Sequence, residues 1–210
     1  MKAKTAFATL KEQEKETRRN LIVEAAQRVF AAKPFGKVSM REIAKEANIS
    51  APSIYTYFPD QETLFVEAAL RGTQAMIDAF SASMKGETDP SLERVAETFI
   101  TYLTDHDVYF RMMAHFVLHA QLSPESVQRL TDLERALLDI FESALRRMEI
   151  NGDLRLLSHT FFAGMNGILI TFRRYPGRSD REVLDHMMRL SRIACDLFRS
   201  AAHEQHQSRS

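Results

Sequence analysis

The sequence predicts an all-α protein of about nine helices, and three observations carry that expectation. Glycine and proline are scarce, seven and six in 210 residues, and stand mostly between runs of helix-forming Ala, Leu, Met, Glu, Arg and Gln. Apolar residues recur three and four apart along most of the chain. Sustained two-residue alternation and Asn-Gly hairpin signals are missing.

The first helix is expected over Thr17–Ala32, where Leu21, Ile22, Ala25, Val29 and Phe30 share a face. The stretch KPFGK (33–37) ends it. Ser39 with Glu42 makes a capping box for a second helix, and Asn48, tolerant of left-handed backbone, closes it. Ser50 caps a third, with Pro52 acceptable in its first turn and Pro59 as its stop. Asp60 caps a long fourth helix to about Met84. Asp89-Pro90 starts a fifth, to about Thr104, and DHD (105–107) separates it from a sixth ending near Gln121. Ser123-Pro124 starts a seventh, to about Glu149. Asn151-Gly152 ends that helix and Asp153 caps the eighth, which YPGRS stops near Arg174. Ser179 with Glu182 boxes the ninth, which fades into a polar tail.

Hydrophobic residues form 45% of the chain, enough for a sizeable core. A formal net charge of zero excludes a globally basic nucleic-acid glue but not a local patch. A single cysteine, Cys195, gives no disulfide framework and points to a reducing compartment. Apolar runs fall short of the ~18 residues of a membrane span, and the N-terminus lacks a secretory hydrophobic segment. The expected location is cytoplasmic, without membrane association.

Function concentrates in VSMREIAKEANISAPSIYTYF, residues 38–58. Ile43, Ala47, Ile49 and Ile54 are spaced to pack two short helices at a steep angle, and Ala44 keeps the crossing close. This is helix-turn-helix spacing, with the second helix placed for a DNA major groove. That helix carries no lysine or arginine, so its phosphate contacts must use neutral donors. Ser39, Ser50, Ser53, Tyr55, Thr56 and Tyr57 supply hydroxyls, and Lys37 with Arg18-Arg19 supplies charge nearby. Up to residue 60 the chain has a net charge of about +4, and the remainder is negative by as much. Ala51 and Pro52, in the first turn of the third helix, suit a thymine methyl.

These residues carry a family resemblance. TRRNLIVEAAQRVF (17–30), VSMREIAKEANIS (38–50) and SIYTYFPDQETLF (53–65) resemble, in register, the opening segment of the TetR family of bacterial transcriptional regulators. The resemblance implies a DNA-binding domain over residues 16–76, with the helix-turn-helix at about 39–58. It also implies a helical effector-binding and dimerisation domain over 77–203. Arg41 resembles the family position that reaches a guanine edge. Asn48 stands where the family has a turn glycine. Gln61 stands where it commonly has a phosphate-touching lysine, leaving the helix N-terminus itself as the phosphate site.

The remaining helices must sense a ligand, dimerise, or both. The eighth and ninth, about 153–174 and 180–203, are apolar on two sides, with Ala163, Gly164, Gly167 and Ile170 on the extra face of the eighth. They are expected to pair with the same helices of a second copy in a four-helix bundle. Met112, Met113, Phe116, Phe161 and Met165, with Tyr102, His119 and Asn166 as polar companions, are expected to line an apolar effector cavity. His115 and His119 lie four apart, yet no cysteine or carboxylate cluster joins them and His159 is the only third partner, so no metal or other cofactor is expected. The expected protein is a homodimeric repressor on a near-palindromic duplex operator, released by a small apolar effector. The alternatives are a helical binding module or enzyme without DNA contact. The chain offers no Glu-x-x-His pair, phosphate loop or paired cysteines for an enzyme.

Overall fold

A computed structural model of the chain describes residues 2–83, 91–119, 122–148 and 152–207. Among these residues there are nine α-helices and no strand: α1 Lys2–Ala32, α2 Met40–Glu46, α3 Ala51–Ile54, α4 Gln61–Ser83, α5 Leu92–Asp105, α6 Asp107–His119, α7 Pro124–Arg146, α8 Leu154–Phe172 and α9 Asp180–Gln207. One 3-10 turn, Phe35–Lys37, follows α1.

Most helix starts rest on the expected caps. Ser39 accepts from the Glu42 amide, Ser50 from Ser53, Asp60 from Thr63 and Asp153 from Leu156. At Ser179 the box is closed both ways, with Glu182 accepting from the Ser179 amide at 2.8 Å. The start of α5 is different: Ser91 is its cap, accepting from the Arg94 amide. The expected Asp89-Pro90 start, the Asn151 cap and the expected helix ends at Met84, Gln121 and Glu149 lie outside the described residues. A second difference is α1, which begins at Lys2 rather than Thr17. Residues 2–16 offer only the short apolar stripe of Ala3, Ala6, Phe7 and Leu10, but they contain helix formers and no Gly or Pro, so propensity carries the helix.

The chain divides into two compact units. The first takes residues to Gly72 and 107–130, so α6 groups with the N-terminal helices, beyond the expected 16–76 domain. The reason is aromatic packing. Phe65 meets Phe30 edge-on at 5.0 Å and Phe116 of α6 at 5.0 Å. Close packing recurs at Gly72, where a Cβ would overlap the Tyr109 ring. The second unit takes 73–106 and the chain from Thr131. Its centre is an aromatic cluster of Phe99, Phe141, Phe161 and Phe162 with ring centroids 5.6 to 5.9 Å apart. Arg173 donates to the Leu103 and Thr104 carbonyls, satisfying the end of α5.

Candidate nucleic-acid interface

The motif stands on a small apolar centre. Ile43, Ala44, Ile54 and Phe58 are fully buried, so α2 and α3 are fixed from beneath. The turn between them places Asn48 at φ 55°, the left-handed backbone that asparagine adopts at modest cost. The Ile49 amide then bonds the Ala44 carbonyl at 2.9 Å, closing α2. The regular helix α3 is short, but amide bonds from Thr56, Tyr57 and Phe58 continue the coil to Phe58.

Above this centre the polar side chains face solvent. Lys37, Ser39, Arg41, Ser50, Pro52, Ser53, Tyr55 and Thr56 are exposed, and Ala51, Tyr57 and Gln61 are half-buried. Neighbouring cations are consumed internally. Arg28 pairs with Glu46 at 2.7 Å, and Lys33 pairs with Glu42, whose carboxyl is held below its usual range chiefly by that hydrogen bond. Arg19 lies 4.5 Å over the Phe58 ring and pairs with Glu67 at 3.2 Å, so it anchors the motif rather than facing outward. Lys37 and Arg41 make no ion pair among the described residues, which leaves both charges available to an external anion.

The hydroxyl inventory is equally specific. The Ser50 and Ser53 oxygens are 2.6 Å apart, and one proton bridges them. Two hydroxyls bring two protons, so one O–H remains to donate outward. Ser39 uses a lone pair on the Glu42 amide and keeps its proton. Tyr55 projects into solvent, whereas the Tyr57 side chain lies against Arg18, whose guanidinium is pushed further up by Glu14 and then by Tyr57. Gln61 is committed otherwise: its Nε2 donates to the Phe35 carbonyl at 2.7 Å, tying α4 to the 3-10 turn.

The expected effector residues divide between the units. Met112, Met113, Phe116 and His119 belong to the first, where Met112 is buried and Phe116 packs on Phe65. The His119 side chain lies outside the described residues. His115 Nδ1 sits 3.1 Å from the Phe30 carbonyl, a satisfied histidine. Tyr102, Phe161, Met165 and Asn166 belong to the second unit. There Phe161 and Met165 are fully buried and Asn166 donates to the Phe162 carbonyl. Tyr102 also lines a groove of about 490 Å³ on α4, α5 and α9, beside Arg94, Glu97, Thr98, His106 and Arg192. Those five residues were not anticipated. The available signal was the Tyr102–His106 pair, four apart and stacked at 3.9 Å.

On α8 and α9 the extra apolar face is exposed. Leu156, Ile170, Ile193 and Leu197 are 56 to 66% exposed, and a Cβ on Gly164 or Gly167 would meet open space. No described helix is long and apolar enough to cross a membrane.

The geometry agrees with what the chain is similar to. Residues 22–68 match the family of bacterial regulatory proteins, tetR family. An uncharacterised HTH-type transcriptional regulator of Haemophilus influenzae is 32% identical over 105 residues, 48% of this chain and 50% of that protein. The HTH-type transcriptional regulator EthR of Mycolicibacterium smegmatis is 28% identical over 94 residues, 43% of each. The chain thus spans about half the length of the curated relatives it matches. Among solved structures, the transcriptional regulator FadR of Bacillus subtilis, in complex with stearoyl-CoA, has a TM-score of 0.69 at 20% identity. The likeness covers 86% of this chain and 97% of that one, and it establishes the shared fold. With its capped helix-turn-helix, the chain carries over residues 22–68 the N-terminal segment of the bacterial regulatory proteins of the tetR family.

Proposed function

We propose that the protein is a cytoplasmic, sequence-specific DNA-binding transcriptional regulator rather than an enzyme, and a repressor released from its operator by a small apolar effector. The observation that carries this reading is the exposed polar face of α2 and α3 over a buried apolar centre, with Arg41 unpaired among the described residues. Arg41 reads a base edge, and Ala51 and Pro52 offer apolar contact. Lys37, Ser39, Ser50, Ser53, Tyr55, Thr56 and Tyr57 position the phosphates. Gln61 stands near the α4 N-terminus, whose amides add to the phosphate site.

The working form is a homodimer. The exposed apolar side chains on α8 and α9 support self-association, because they leave a single copy with unburied apolar surface on both helices. Two readers related by a two-fold axis then meet successive major grooves ~34 Å apart. The effector acts by binding one of two states better, since equal affinity would shift nothing. We assign its contacts in the second unit to Phe161 and Met165, with Tyr102 and Asn166 as polar companions. The FadR structure with stearoyl-CoA supports an acyl or similarly apolar class.

Selection of bound sequences from a random duplex pool tests the reading. A near-palindrome with two protected half-sites is the expected result. Protection of one isolated half-site by a monomer overturns the dimer, and failure to enrich any sequence overturns the regulator.

A further inference from the structure

We infer that the N-terminal part of α1, Phe7–Arg18, is a second DNA contact, in which Lys11 and Lys15 bind backbone phosphates flanking the half-site; the inference rests on the DNA-binding reading. The segment lies before the family-matched residues 22–68, and α1 begins well upstream of the helix start that periodicity marks. Its register is informative. Lys11, Lys15 and Arg18 follow steps of four and three, and the same steps continue through Ile22, Ala25 and Val29. From Ile22 onward this face is buried in the core; from Arg18 back to Lys11 it is exposed and basic. One helix face therefore changes from core to cation where it passes the motif.

Of the three acidic residues in the segment, two are engaged in ion pairs, and Glu14 shares the basic face. Glu14 is taken by Arg18 at 2.6 Å and Glu16 by Arg71 at 3.2 Å. Glu12 is rotated about 100° from Lys11 and about 60° from Lys15, and no ion pair joins it to either among the described residues. Lys11 and Lys15 are exposed and make no ion pair among the described residues. The other end of the stripe is fixed by Arg18, beside the side chain of Tyr57. Tyr57 is a phosphate donor in the proposed reading, so the stripe adjoins that surface at Arg18. At 1.5 Å per residue, Lys15 and Lys11 lie ~4.5 and ~10.5 Å further along the axis. A duplex presents phosphates at about that spacing on either side of a half-site. Such contacts carry charge and no base information, so they add affinity and salt dependence without changing the recognised sequence.

The test measures operator affinity of the full chain against salt concentration for the wild type, for Lys11→Gln with Lys15→Gln, and for Arg135→Gln, in the second unit, as a control. The double substitution should lower the slope of log affinity against log salt by about 1.8 per subunit, ~0.9 for each phosphate. The same double variant should shorten the hydroxyl-radical footprint at its outer edges and select the same sequence from a random pool; Arg135→Gln should leave the slope alone. An unchanged slope and footprint, with wild-type selection intact, overturns the arm and spares the regulator. A wild type that selects no sequence overturns both.

Discussion

The helix-turn-helix stretch and the α8–α9 pair both expose much of their surface, but they expose opposite chemistry. Between residues 39 and 58 Met40, Ile43, Ala44, Ile54 and Phe58 are inside, and the exposed groups are mostly polar, among them Ser39, Arg41, Ser50, Ser53, Tyr55 and Thr56. Along α8 and α9 a fully buried row, Phe161, Met165, Leu169 and Met187, is matched by a second apolar row left outside, Leu156, Ile170, Ile193 and Leu197. The motif is complete in one copy, because Met40, Ile43, Ile54 and Phe58 are buried and Ser39 and Ser50 cap its helices. The α8–α9 surface is complete only with something apolar against it. The two regions should therefore respond differently to substitution: one in folding, the other in association.

The largest effect belongs to the motif's centre. Phe58 is fully buried, with Arg19 stacked on its ring. Phe58→Ala removes that packing and leaves a cavity, at about 3–5 kcal/mol. Thermal unfolding of the full chain should register it as a lower Tm, and operator binding should fall with it. An unchanged Tm would mean that the motif relies on its caps rather than its centre.

Next in size is the exposed row. Ile170→Glu with Leu197→Glu puts two charges where a partner copy would pack, and removing well-packed interface anchors costs about 2 kcal/mol or more each. Sedimentation should show the double variant as a monomer with weak operator binding. Its unfolding should stay close to wild type, since exposed positions change stability by about 0.5 kcal/mol or less. A variant that remains dimeric would place the interface elsewhere.

The same contrast explains what the sequence made legible. Caps are short-range chemistry: Ser39, Ser50, Asp60, Asp153 and Ser179 each announce a helix within four residues, and all five are in place. Asn48 likewise declares its own backbone. The second face of α8 was legible too: Gly164 and Gly167 face open space beside the exposed Ile170. What pattern alone misses is which partner a side chain chooses. Gln61 looks like a phosphate contact by position, yet its amide bonds Phe35. Met112 and Met165 both read as lining of one cavity, and they fall into different units. Apolar periodicity marks a buried face but carries no information about whether a neighbour or a ligand buries it.

A smaller effect separates reading from positioning within the motif. Arg41→Ala should relax preference at one position in each half-site, at about 1–3 kcal/mol. Tyr55→Phe removes an exposed hydroxyl and should weaken all sequences alike. Competition binding against single-base operator variants checks both. If Tyr55→Phe also alters the preference, the division between base and phosphate contacts does not hold.

The smallest expected change is at Gln61, and it joins the two ways a side chain here can be used. Its Nε2 donates to the Phe35 carbonyl, so it holds the 3-10 turn to the first turn of α4. A neutral hydrogen bond of this kind contributes about 0.5–1.5 kcal/mol. Gln61→Lys gives a cation that must choose between that carbonyl and a DNA phosphate. If the α4 N-terminus approaches the backbone, the phosphate wins, because a charged donor gains more from an anion than from a carbonyl. Operator affinity should then rise, and the slope of log affinity against log salt should steepen by about 0.9 per subunit. Tm would fall slightly as the Phe35 contact is lost. If instead the slope and Tm both stay at wild-type values, the lysine has taken over the carbonyl, and this end of α4 does not touch DNA.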